Sequence, residues 1–171
     1  MRISDYTGAG WTRDRPERLR EAPMAILSQT AEYALRAMAY LAQQPPGTSC
    51  DVGLLAGVIG VPRNYLSKIL SQLARENLVT STRGKGGGFA LGRSPAAITI
   101  YEVVAPFDRL DRGARCLLGQ AVCSERHPCP AHKGWRSVSD HLLRFLKRGT
   151  LEQLAAGLTR WPGLRRGAGA K

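Results

Sequence analysis

The run Arg83-Gly84-Lys85-Gly86-Gly87-Gly88 constrains this chain more than any other segment. Four glycines in six positions exclude a helix, because each costs about 1 kcal/mol of helix propensity relative to alanine. The same glycines permit the positive φ angles of a tight turn. The flanks, residues 78–82 and Phe89-Ala90-Leu91, are rich in apolar and β-branched side chains, so the segment is expected to be a β-hairpin. Two strands this short are not stable alone in water. The hairpin must therefore lie against helices, and the sequence before it supplies three.

Ala31, Ala34, Leu35, Met38, Leu41 and Ala42 recur at the three- and four-residue spacing of an amphipathic helix. Ser28 or Thr30 is placed to cap it, and Pro45-Pro46-Gly47 to stop it. A second helix is expected from Asp51 to about Ile59, with Thr48, Ser49 or Asp51 near its start and Gly60 at its end. Gly53 and Gly57 weaken it, so packing must hold it together. Pro62 suits the first turn of a third helix, where its missing amide hydrogen costs nothing. That helix turns Leu66, Ile69, Leu70 and Leu73 inward and shows Arg63, Asn64, Ser67, Ser71 and Arg75 outward, with Lys68 at the edge. The expectation is a mostly α fold with a small β-hairpin wing: a winged helix-turn-helix over residues 24–105, which places one helix in the major groove of DNA.

Charge agrees with that reading. The 171 residues hold 25 Lys and Arg against 13 Asp and Glu, a formal net charge of +12, which favours a polyanionic partner. Within residues 62–94 six side chains are basic and one is acidic. Arg63, Asn64, Tyr65, Ser67 and Lys68 occupy the first two turns of the third helix, where side chains reach base edges or phosphates. Arg83 and Lys85 ride on the wing, whose glycines allow close approach to a sugar-phosphate backbone. A nucleotide-cradling loop is excluded by the same run. Lys85 is followed by Gly86 rather than Ser or Thr, and the continuation is strand-like where a phosphate loop needs a helix.

With 43% hydrophobic residues the chain can build a compact core. No apolar stretch approaches the roughly 20 residues that cross a bilayer. Residues 1–23 lack the apolar centre of a secretory signal and are expected to be a disordered leader or a mis-assigned start. A soluble, cytoplasmic protein with reduced thiols is the expectation. Residues 106–134 hold Cys116, Cys123 and Cys129 among Gly, Pro and charged residues with little periodicity, a functional-loop pattern. Thiolates at this spacing, with Cys129-Pro130-Ala131-His132 following, suit an iron-sulfur cluster. Zinc, bound by three Cys and one His, is the chemical competitor, and plain packing of cysteine is the third reading. Cys50 stands alone and reads as a packing residue. From Trp135 the helical period returns, with Trp135, Val138, Leu142, Phe145 and Leu146 on one face, and Thr150-Leu151-Glu152-Gln153 reads as a capping box for a short last helix. Residues 135–161 are thus a dimerisation helix and a last helix, and residues 162–171 a frayed, disordered tail. The stripe on the long helix exceeds what the preceding domain can cover, and a symmetric partner is the simplest cover.

Taken together, Glu32-Tyr33-Ala34-Leu35-Arg36-Ala37-Met38, Asn64-Tyr65-Leu66-Ser67-Lys68-Ile69-Leu70, Leu78-Val79 leading to the glycine run, the three cysteines, and Thr150-Leu151 after the long helix resemble the bacterial Rrf-type winged-helix regulators. That family includes the iron-sulfur cluster regulator and the nitric-oxide-sensitive repressor. The resemblance spans about residues 24–161. It implies a homodimer on palindromic, double-stranded operator DNA, with an iron-sulfur cluster, 2Fe-2S or 4Fe-4S, held by Cys116, Cys123 and Cys129. His132 matches the fourth ligand of the cluster regulator. Glu32 matches the place where other members supply a carboxylate from the partner subunit, and is the alternative. The implied function is a transcription regulator whose operator affinity follows redox, iron or nitric oxide status, with no membrane and no small-molecule substrate. The competing functions are a winged-helix regulator with a zinc or thiol-redox sensor loop, and a redox or metal enzyme. The enzyme reading lacks a Cys-x-x-Cys pair and a second set of acid-base residues.

Overall fold

A computed structural model describes residues 26–84, 87–108, 110, 116–119 and 124–158. The expected leader at 1–23 and tail at 162–171 lie outside the described residues, as do Lys85 and Cys123. Helix α1 spans Gln29–Ala42, α2 Val52–Ile59 and α3 Arg63–Arg75. Strands β1, Val79–Thr82, and β2, Gly88–Leu91, form an antiparallel hairpin in which Val79 faces Leu91 and Thr82 faces Gly88. Then come a 3-10 turn at Pro95–Ala97 and helices α4, Ile100–Val104, α5, His132–Arg148, and α6, Leu151–Leu158.

Local chemistry sets the boundaries. The Ser28 hydroxyl accepts from the Ala31 amide at 3.2 Å and caps α1. The Asp51 carboxylate accepts from the Gly53 and Leu54 amides at 2.7 and 3.3 Å and caps α2, whose end is turned by Gly60 at φ 77°. Pro62 stands one position earlier than expected, at the cap of α3, where its carbonyl accepts from the Tyr65 and Leu66 amides. Asn77, at φ 57°, reverses the chain after α3, with the Leu78 amide donating to the Leu73 carbonyl. This left-handed closure aims β1 back along the helix.

Met38, Leu55, Leu66, Ile69, Leu70, Leu73, Leu78, Ile98, Val103 and Leu151 are fully buried and knit α1, α2, α3, the hairpin and α6 into one core. Each contributes roughly 1.5–3 kcal/mol of burial. The Cys50 backbone pairs with Phe89, amide to carbonyl both ways at 2.9 Å, so the wing carries a third, one-residue strand. A second short pairing joins Thr99 to Thr150: the Ile100 amide donates to the Gly149 carbonyl at 2.9 Å and the Leu151 amide to the Ile98 carbonyl at 2.8 Å. It clasps α6 to the start of α4, and α6 then lies along α1. Helix α4 opens with a full capping box between Thr99 and Glu102, and Glu102 also accepts from Arg93 at 2.8 Å. The predicted box at the last helix is present: Thr150 and Gln153 exchange bonds at 3.2 and 3.3 Å. Helix α5 starts at His132, three residues ahead of the expected Trp135.

Candidate nucleic-acid interface and thiol site

Helix α3 sits with its apolar stripe sealed into the core and its other face open. Arg63, Asn64 and Lys68 are exposed and Ser67 is half-buried, all within the first two turns. No acid stands in the first turn, so the helix dipole and the side chains present the same positive sign to an approaching phosphate. Arg63 lies 3.9 Å from Asp51, an exposed pair of small energy that a phosphate can displace. Farther along, Lys68, Ser71, Gln72 and Arg75 line a shallow cleft with Ser67, and the Ser71 hydroxyl donates to the Ser67 carbonyl.

Tyr65 is engaged differently from its neighbours. Its hydroxyl is 2.6 Å from the Thr30 hydroxyl, and its ring meets Tyr33 edge-on at 6.0 Å between centroids. The Arg36 guanidinium lies 5.7 Å over the other ring. These contacts fix the entry of α3 against α1 and leave one edge of Tyr65 in solvent. Arg83 is exposed at the start of the turn, and Gly84 takes φ 98°, the conformation that glycine supplies.

The thiol site gathers residues distant in sequence. The sulfurs of Cys116 and Cys129 are 3.7 Å apart, with Cys116 only 6% exposed. His132 opens α5 and is 3% exposed; its amide donates to the Cys129 carbonyl at 2.9 Å, which ties the imidazole's residue one turn after the second thiol. Its Nε2 lies 3.4 Å from the Glu125 carboxylate, which is also 3.4 Å from the Arg136 guanidinium, and Arg136 Nε reaches Asp140 at 3.8 Å. Nothing in the sequence period marks Glu125. Glu32 is placed elsewhere, in the first turn of α1, half exposed and 4.0 Å from Arg36. Among the described residues no three Cys, His, Asp or Glu side chains close around a common point, and Cys123 lies outside them. Two thiols brought together across thirteen residues, with a buried histidine beside them, are still a donor set that suits a soft, thiolate-bound centre.

Helix α5 turns Leu146 into the core and half-buries Trp135 and Leu142, while Val138 and Phe145 are each 60% exposed. Among the described residues no helix is long and apolar enough to cross a membrane.

The buried helix-turn-helix, its basic outer face and the adjoining hairpin define a winged-helix protein of the kind that reads DNA. Residues 27–157 match the Rrf2 family, described as iron-dependent transcriptional regulators, and the chain belongs to that family. It is a DNA-binding transcription regulator and not an enzyme. It is 32% identical over 128 residues to the HTH-type transcriptional regulator IscR of Escherichia coli, covering 75% of this chain and 78% of IscR. Its fold is similar to that of CymR, the global cysteine regulator of B. subtilis, at TM-score 0.65 and 25% identity, over 78% of this chain and 98% of CymR. IscR of T. potens superposes at TM-score 0.63 and 21% identity, over 78% of this chain and 88% of the other.

Proposed function

We propose that the chain is a homodimeric regulator whose affinity for operator DNA is governed by an iron-sulfur cluster on Cys116, Cys123, Cys129 and His132. The observation that carries this reading is the pairing of the Cys116 and Cys129 thiols at 3.7 Å with the buried His132 one turn on. His132 is preferred to Glu32 as the fourth ligand because it opens the helix that follows the cysteines, whereas Glu32 is engaged with Arg36. A bound cluster supplies a redox- and nitric-oxide-sensitive centre that side chains alone lack.

The chain's own residues supply the rest. The thiol segment runs from α4, which is packed on α1, to α5, whose outer stripe of Val138 and Phe145 is the proposed dimer seam. Ordering that segment biases how α5 of one subunit sits on its copy, and hence the spacing of the two α3 helices. Arg63, Asn64, Ser67 and Lys68 read the groove, with Tyr65 setting the entry of α3, and Arg83 and Lys85 follow the backbone from the wing. A coupling of roughly 1–3 kcal/mol changes DNA affinity about 5- to 150-fold.

The test is anaerobic reconstitution with iron and sulfide. Visible absorption that disappears in Cys116→Ala, Cys123→Ala and Cys129→Ala, with the fold retained, supports the reading; a colourless wild-type protein overturns it. A direct thiol sensor is the second reading, favoured by the same 3.7 Å separation. In that case peroxide oxidises the two thiols to one disulfide with release of two waters, and a mass loss of two hydrogens accompanies the change in DNA affinity.

A further inference from the structure

We propose that Asp108 is a positioning residue for the reading helix: its carboxylate holds the start of α1 by the Ser28 amide, and α1 in turn holds Tyr65 at the entry of α3. A change in the thiol segment is felt at the DNA groove by this route. The inference rests on the sensing role given to the cysteines above and adds to it the contact that carries the signal.

Three observations carry it. Asp108 Oδ2 accepts from the Ser28 amide at 2.9 Å, a bond between residues 80 apart in sequence. Ser28 is the N-cap of α1, so the carboxylate stands at the positive end of that helix. Asp108 is fixed at the exit of α4, where its amide donates to the Val104 carbonyl at 3.0 Å and its carbonyl accepts from the Leu110 amide at 2.8 Å. Cys116 follows in the same segment. Leu27, Phe107 and Leu110 pack on one buried group, Ala31, Ile100, Val104 and Leu146, on which Leu142 of α5 also packs. The start of α1, the exit of α4 and the long helix therefore meet at one place. Thr30, in the first turn of α1, has its hydroxyl 2.6 Å from that of Tyr65, and Tyr33 meets the Tyr65 ring edge-on. The same end of α1 thus carries both the amide that Asp108 holds and the side chains that hold α3.

The two kinds of contact divide the work. Buried apolar packing keeps the helices together whatever the state of the thiols. The Asp108 bond is open to water, so making or breaking it changes the free energy little, and a modest strain from the thiol segment is enough to shift it. A hydrogen bond to a charged acceptor limits the effect to about 10- to 100-fold in affinity, which is the size that the coupling of thiol site to operator requires.

Two measurements on the full-length protein test this. Amide hydrogen exchange reads the bond itself: the Ser28 amide should exchange at least about tenfold faster in Asp108→Ala than in the wild type, and near the wild-type rate in Asp108→Asn, whose amide oxygen still accepts. Unchanged exchange in Asp108→Ala overturns the proposal. Fluorescence anisotropy, on a duplex selected from a random pool by the wild-type protein, gives the ratio of affinities with and without the reconstituted cluster. That ratio should fall to within about twofold of unity in Asp108→Ala and in Thr30→Val, and stay near wild type in Asp108→Asn and in Thr30→Ser. An Asp108→Ala protein that binds more weakly in both states by the same factor, with the ratio kept, has lost stability alone and overturns the proposal. A wild-type protein that takes up no cluster refutes the functional reading instead. The ratio is then read between reduced and peroxide-treated protein, and a ratio that Asp108→Ala leaves unchanged overturns the proposal there too.

Discussion

Replacing Gly88 by alanine should damage the wing from its base. A Cβ at Gly88 would overlap the Cys50 carbonyl oxygen and come within 2.6 Å of the Cys50 carbonyl carbon and 3.0 Å of the Asp51 nitrogen. All three are backbone atoms, so no side-chain rotation relieves the clash. The segment must move, and the first bonds to go are the reciprocal pair between Cys50 and Phe89, each 2.9 Å long. At about 0.5–1.5 kcal/mol apiece, their loss amounts to about 1–3 kcal/mol. If the shift reaches Asp51, the α2 cap is strained as well, at a further cost of about 1 kcal/mol. With a urea slope of about 2 kcal/mol/M, a loss of 2 kcal/mol lowers the unfolding midpoint by about 1 M. Gly57→Ala is the control of opposite sign. Gly57 lies inside α2 with no atom within 4 Å of a built Cβ, so alanine there should raise stability by about 0.5–1 kcal/mol. Circular dichroism in urea measures both, and fluorescence anisotropy on operator DNA should show Gly88→Ala binding weakly under conditions where it is still folded. An unchanged midpoint in Gly88→Ala would refute the idea that Cys50 anchors the wing.

Acid should weaken the fold partly through Glu102. Burial pushes that carboxyl up, but the hydrogen bonds from Arg93 and from the Thr99 amide and hydroxyl outweigh it, and the net direction is down. A lowered folded value means the stabilisation is present above the ordinary carboxylate range and lost as pH falls through the folded value; Glu102→Gln should therefore flatten the acid limb of a stability-pH curve, and an unchanged limb would count against it. Arg63→Ala or Asn64→Ala should each cost roughly 1–3 kcal/mol on the specific site and relax preference at one base position, read by binding to a set of mutated operators. Lys85→Ala should instead weaken all sequences alike and flatten the salt dependence. Phe145→Glu, on the exposed stripe of α5, should leave circular dichroism intact and convert the proposed dimer to monomer in sedimentation; a dimer that persists argues for a different seam.

The reading head was legible because its signals are local. The stripe Leu66, Ile69, Leu70, Leu73 repeats at the helical period, and the glycine run admits few structures, so α3 and the hairpin stand where expected. Residues 98–100 were harder. Ile98 and Thr99 are extended, as β-branched side chains favour, and Thr99 pairs with Thr150, but the third β-branched residue, Ile100, starts α4 behind the Thr99–Glu102 capping box. The box signature, Thr99 followed three residues on by Glu102, marks that change from extended chain to helix. Helix α5 was expected late because His132, Lys133 and Gly134 carry no apolar period; its first turn is set instead by His132 packing inward beside the cysteines. Cys50 was read as packing alone, whereas its backbone also completes the wing, a pairing across 39 residues that no local pattern encodes. The contact of Glu125 with His132 is tertiary in the same sense.

The clasp between Thr99 and Thr150 gives the chain an unusual economy of editing. The chain passes from Ile98 into α4 and comes back out of α5 at Gly149, where two hydrogen bonds hold the two passages side by side and Ile100, Val104 and Leu146 pack together with Ala31. To the DNA-reading body the chain between α4 and α5 is an appendage with adjoining roots, because both helices are seated beside the clasp and against each other. Such an appendage can be cut without being shed: a protease nick within residues 117–131 should yield two fragments that stay together through α6 on α1 and separate only in denaturant. By the same geometry the length and contents of the loop between α4 and α5 can be rewritten while both helices keep their packing, so sensing and reading are free to diverge at different rates.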